Sequence, residues 1–210
     1  MNISLKPHVL KALAKHVSPK DEVRYYLKGV LVELHPDRTI YVATDGHILV
    51  AHHDNRGNDV ERTMPIIIPT DFVRTLKVKA RQEIACFQVS DDWKTIGSNQ
   101  LGADPVSLID AIYPNWRQAI PSAKLSRKSA HFDPHLVCKL FDAIGDCEGF
   151  RKPLIRDLVP NGNHATRLTI GNTLGIIMPY RDDPLSHDEQ SFPSWIGGAV
   201  TQREIEQVAA

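Results

Sequence analysis

Three stretches of the chain follow one plan: "ISLKPHVLKALAKHV", "PIIIPTDFVRTLKVKA" and "SAHFDPHLVCKLFDAIG". Each begins with a short strand-like run, turns at a proline or polar residue, and continues for two to three turns with apolar residues at helical spacing. With His8, Asp71 and His135 aligned, the pairs Val9-Leu10, Phe72-Val73 and Leu136-Val137 fall in register, and Leu13, Leu76 and Leu140 follow one turn later. The intervals are 63 residues (8 to 71) and 64 residues (71 to 135). A period of that length is too long for a helical solenoid and suits a β-α-β-β(-β) module. The chain is therefore expected to be an α+β protein of repeated units, with helices on one face of the sheets.

Strand-like runs follow each helix. They are Arg24–Leu34 and Thr39–Asp54 in the first unit, then Glu83–Ser90, Lys94–Ser98 and Ala103–Asp110 in the second. The third has His164–Ile170 and Leu174–Arg181, after the Pro/Gly/Asn-rich stretch "GDCEGFRKPLIRDLVPNGNH", read as an insertion. Two units occupy residues 1–120 and one occupies 121–181. Residues 182–210 read as a tail with a polar linker, an aromatic cluster at Phe192 and Trp195, and a short helix opened by Thr201-x-x-Glu204.

No apolar run approaches the roughly 20 residues that span a bilayer. The start "MNISLKPHVLKALAKHV" is amphipathic rather than leader-like, so the expected location is cytoplasmic, with no membrane partner. Cys86, Cys138 and Cys147 are widely separated and without a C-x-x-C pair, so reduced, buried thiols are expected. Basic and acidic residues number 25 each, which argues against coating nucleic acid through bulk charge. What matters is where the charges sit. The first helix carries His8, Lys11 and Lys15 opposite its apolar stripe, and the second carries Arg74, Lys77 and Arg81 at the same spacing. One such stripe is ordinarily a solvated face. Its repetition at equivalent positions favours a surface that tracks phosphates without reading sequence. The third helix offers His135, Cys138 and Asp142 there, which is not basic.

Between two strand-like runs stands Thr44-Asp45-Gly46-His47. Asp-Gly is a strong bend signal, because glycine accepts the positive φ of a tight hairpin. Together with "VRYYLKGVLVEL", "VATDGHILVA", "IIIP" ahead of a helix, "YPNWRQAIP" and "GIIMPYR", in that order, it resembles the bacterial DNA sliding clamp, the beta subunit of DNA polymerase III. The resemblance runs from about Asn2 to Arg181. It likens the first two units to the clamp's middle domain and the third to the second half of its last domain, with no counterpart of the first domain.

The resemblance implies a DNA-clamp-like fold and a groove for short peptides of polymerases and other DNA-handling proteins. Its lining would be Leu27, Thr44, Gly46, His47 and Leu49 from the first unit, Pro114 from the joining segment, and Ile176, Met178, Pro179 and Tyr180 from the last strand. It also implies that Lys11, Lys15, Arg74, Lys77 and Arg81, with Tyr26 on a loop, face duplex DNA. Ile48 and Gln118 replace basic residues of the family pattern, and Tyr180 is bulkier than its usual counterpart. The tail's "QSFPSW" resembles a clamp-binding peptide and would occupy the groove. Family rings hold twelve such units, so a ring would need four chains. An odd unit leaves a sheet edge open to a second copy or to the tail.

Tethering requires no catalytic residue, cofactor or metal. A non-encircling adaptor or decoy that keeps the groove is the alternative within the same resemblance. From another class comes a metal-dependent phosphohydrolase built on Asp45, His47 and the His53-Asp54 pair. However, His47 and His53 would stand about 20 Å apart in an extended strand, too far to share an ion. Nucleotide-binding glycine loops and a serine elbow are absent from the sequence.

Overall fold

The first helix, α1 (Pro7–His16), opens at a proline whose missing N–H costs nothing at that position, and it buries Val9, Leu10 and Leu13 with Val17 at its end. These coordinates are a computed structural model describing residues 1–18, 23–80, 82–121, 128, 130–149, 154 and 158–180. In α3 (Pro134–Glu148) the Asp133 side chain accepts the His135 amide, Pro134 fills the first turn, and Gly149 ends the helix at φ 68°. Residues 145–148, read as the start of an insertion, are thus helical. By contrast, α2 (Thr70–Thr75) stops early. The Thr75 hydroxyl donates to Phe72 O, and Lys77 N donates to Leu101 O, so local and tertiary bonds replace further helical turns. Lys77 therefore lies beyond the helix, Ala80 is exposed rather than buried, and Arg81 falls outside the described residues.

The strands form two antiparallel sheets. One has the order β1 (Asn2–Leu5), β6 (Ala85–Val89), β7 (Thr95–Ser98), β8 (Ala103–Ser107). The other runs β5 (Met64–Pro69), β2 (Gly29–Leu34), β3 (Thr39–Thr44), β4 (Ile48–Asp54), β10 (Thr173–Ile177), β9 (Thr166–Ile170). The first two units exchange their leading strands: β1 joins the second unit's strands and β5 joins the first's. The expected strand at Arg24–Leu34 begins only at Gly29, after a 3-10 turn at Tyr25–Lys28, and Thr39–Asp54 is a hairpin bent at the expected Thr44–His47 turn. Among the described residues no strand lies between β8 and α3.

The third unit's hairpin does not stand alone. β10 pairs with β4 in the register Leu49↔Ile176, so this half-unit extends the first unit's sheet and leaves β9 outermost. α3 lies close over β10, where a Cβ on Gly175 would fall 2.7 Å from the Ile144 side chain. Residues 1–180 form one compact unit.

Alternation along the six-stranded sheet feeds two cores. Val30, Val32, Tyr41, Ile48 and Val50 meet the helices, while Leu31, Val42, Leu49, Ala51, Ile67 and Ile176 face outward. A strap over residues 108–120 crosses that outer face, beginning with Ile109 N donating to Ile67 O at 3.0 Å and packing Trp116 against it. Of the thiols only Cys147 is buried; Cys86 is half-buried and Cys138 exposed, so the expectation of buried thiols holds for one of three. No described helix is long and apolar enough to cross a membrane.

Candidate functional site

The β3–β4 turn is held by its own polar atoms. Asp45 Oδ1 accepts the amides of His47 and Ile48, both at 2.9 Å, and Gly46 takes φ 92°. Thr44 Oγ1 donates to Ile48 O at 2.7 Å and accepts the Gly46 amide at 3.1 Å. Lys139 on α3 reaches Asp45 Oδ2 at 2.8 Å. The Arg24 guanidinium lies 3.4 Å from Asp45 O and packs over Gly46. Gly46 and His47 are left exposed at the rim.

Beside this turn the outward face of the sheet is apolar, with Leu49 and Ile176 buried in it and Met178 exposed. Met178 N donates to His47 O at 2.9 Å, carrying the β4–β10 pairing one step further. By strand alternation Thr44, Leu49, Ile176 and Met178 share the outward face, with Met178 43% exposed. The strap supplies exposed Pro114 and, next to it, Tyr113. The Tyr113 hydroxyl is buried beside the Thr44 backbone without a partner at hydrogen-bonding geometry, and burial raises its pKa. Pro179 is half-buried, and Tyr180 is 60% exposed with its amide on His131 O. Leu27 is buried in the 3-10 turn and belongs to neither core cluster. Ile48 points into the helix-side core, whereas Gln118 is exposed on the strap.

The strap is locked by residues that the sequence reading missed. Glu33 accepts Trp116 Nε1 at 3.0 Å and both guanidinium nitrogens of Arg117 at 2.8 and 2.7 Å, while Arg117 stacks on the Trp116 ring at 4.2 Å. Burial works to raise the Glu33 pKa, but the hydrogen bonds from Arg117 and Trp116 and the Arg117 charge outweigh it, and the net shift is downward. The signal was an acid inside the strand "GVLVEL", which needs a partner when buried. A cavity of about 670 Å³ runs under the strap, walled by Leu31, Ile67, Trp93, Leu108, Tyr113 and Trp116.

On the helix face, Lys11, Lys15 and Arg74 line a hollow of about 360 Å³ with Ala14 and Val73. All three cations have partners: Lys11 Nζ donates to Leu76 O at 2.7 Å, Lys15 pairs with Asp146 at 3.3 Å, and Arg74 with Asp71 at 3.0 Å. Lys77 is exposed outside the hollow. Tyr26 is half-buried against Tyr25, which is the more exposed ring.

The residues of the metal reading are not gathered. His47 is at the rim and Asp45 is held by Lys139; Asp54 pairs with Lys6 at 3.3 Å. His52 is buried between Lys6 Nζ at 3.4 Å and Thr173 Oγ1 at 2.8 Å, and Thr173 in turn donates to Glu148. A neutral ring protonated at Nδ1 satisfies this chain. Burial, then the charge of Lys6, pushes the His52 pKa down to about 3. Among the described residues, no group of three or more His, Cys, Asp or Glu could hold a metal ion.

Residues 5–115 match the family described as DNA polymerase III beta subunit, central domain, which covers more than half of the chain. The chain belongs to this family. No curated protein matches it significantly. Among solved structures, the Pseudomonas aeruginosa DNA polymerase III subunit beta is similar with a TM-score of 0.61 at 16% identity, covering 86% of this chain and 66% of that one. The Borrelia burgdorferi subunit, in complex with a natural product, gives 0.62 at 17%, covering 87% and 63%. The Bartonella birtlesii sliding clamp, bound to griselimycin, gives 0.58 at 18%, covering 86% and 66%. At these identities the likeness is one of fold, and the chain spans about two thirds of the length of these beta subunits.

Proposed function

We propose that this chain is a clamp-like accessory of DNA replication or repair that tethers partner proteins to duplex DNA without catalysing a reaction. The observation that carries this reading is the β4–β10 pairing, which sets exposed Met178 and His47 beside Thr44, Leu49 and Ile176 on the outward face. An apolar cleft with a polar rim suits a short peptide carrying two or three hydrophobic anchors. Its partners would be polymerases or other proteins bearing such a peptide. The hollow of Lys11, Lys15 and Arg74 would meet DNA phosphates, independently of sequence. Encirclement would require several chains.

The test uses griselimycin, which is bound to a related clamp, titrated calorimetrically into the full chain and its Met178→Glu variant. Binding by the parent that weakens at least tenfold in the variant supports the groove. Absence of binding by the parent, or equal binding by both, sinks it. A second reading, an adaptor or decoy that keeps the groove but does not encircle DNA, is favoured by one observation: the three cations of the hollow already have partners.

A further inference from the structure

We propose that Lys139, on α3, is a positioning residue for the groove: it fixes the Asp45–His47 turn in the shape that a bound peptide meets. This rests on reading the outward surface as a peptide groove. Lys139 itself would not touch the peptide.

The argument begins with how Asp45 divides its two oxygens. Oδ1 is occupied by the amides of His47 and Ile48, and Oδ2 by Lys139 Nζ at 2.8 Å. The Asp45 side chain is 9% exposed and that of Lys139 29%, so the pair is shielded from the water that weakens surface ion pairs. A carboxylate so enclosed is costly to leave without a cation, and removing one partner loosens whatever the other holds. Here that is the backbone of His47, whose carbonyl also receives Met178 N from the opposite wall of the groove. The turn is thereby held from α3 through Lys139, from β10 through Met178, and from the loop before β2 through Arg24.

Charged side chains of α3 turn to neighbouring elements. Lys139 is turned to Asp45, Asp146 to Lys15 and His16, and Glu148 to Thr173 and the Asn172 amide. Lys139 and Asp146 of α3 are thus spent on the first unit, and Glu148 on the β9–β10 turn of its own. The third unit supplies one wall of the groove through β10 and braces the other wall through Lys139.

The experiment uses the full chain with Asp45→Asn, Lys139→Met and the two combined. Asparagine keeps an Oδ1 acceptor for both amides while removing the charge, and methionine keeps the apolar stem. Three quantities are read: griselimycin affinity, hydrogen exchange of the peptide spanning Gly46–Ile48, and the urea midpoint. Each single variant should weaken binding about fivefold to tenfold, speed exchange in the turn and lower the urea midpoint, with the double no weaker in binding than the worse single. Unchanged binding and exchange, or losses that multiply in the double variant, would overturn the assignment. Should the parent fail to bind griselimycin, the groove reading fails by itself and exchange alone decides: acceleration in both singles supports Lys139 as the brace of the turn, and parent-like rates overturn it.

Discussion

At the scale of single residues, Glu33 and His52 are both held deprotonated inside one sheet, the first as a charged carboxylate and the second as a neutral ring. Glu33, held by Arg117 and Trp116, has a folded pKa below its ordinary value of 4.5. Its contribution is present in full above about that pH and is lost as pH falls through the folded value, because the unfolded chain then binds the proton first. Glu33→Gln should destabilise by about 2 kcal/mol at neutral pH, a charge-assisted network being lost. The gap to the parent should narrow below pH 4.5 in urea melts taken at stepped pH, and a gap constant with pH would count against the ion pair. His52, kept neutral by burial and by Lys6, titrates near 3 instead of 6.5. Between those values the unfolded chain holds the extra proton, so stability falls as pH drops from 6.5 toward 3, by at most about 1.4 kcal/mol per pH unit. A His52→Gln variant should lose that portion of the slope, whatever its stability at pH 8.

At the scale of elements, the third unit depends on how closely α3 approaches β10. Gly175→Val would drive a side chain into Ile144 and Leu140, which lie 2.7 and 3.0 Å from the position of a Cβ. The expected cost is about 1–3 kcal/mol by overpacking, read as a lower urea midpoint with faster exchange in α3 and β10. Parent-like exchange there would mean that the helix moves aside freely. What the sequence disclosed at this level was local. Helical spacing placed the buried faces of α1 and α3, and Asp45-Gly46 placed the hairpin bend, because each is encoded within a few residues. The end of α2 was hidden, since Thr75 and Leu101 terminate it by contacts no periodicity records. The β4–β10 pairing was hidden for a deeper reason: alternation tells which face of a strand is buried but not which strand lies beside it. The candidate groove residues were reached through family resemblance, and Leu27 among them is buried. Glu33, Trp116 and Arg117 were all visible as residue types; only their meeting was not.

At the scale of the molecule, the distribution of charge bears on what the chain can hold. With 25 basic and 25 acidic residues, any duplex binding must come from local arrangements such as the Lys11–Lys15–Arg74 hollow. If phosphates enter there, Lys15→Gln with Arg74→Gln should reduce the slope of log affinity against log salt by about two, measured by fluorescence anisotropy on a labelled duplex. An unchanged slope would place the DNA contact elsewhere or remove it, leaving the adaptor reading. The β4–β10 ladder has one more consequence, for the making of the protein. Its two strands are separated by most of the sequence, so the ladder has high contact order and its closure comes late in folding. A ribosome must release nearly the whole described chain before Ile176 can lie beside Leu49. Half-made polypeptides therefore carry β4 without its neighbour, an open sheet edge until the last described strand emerges.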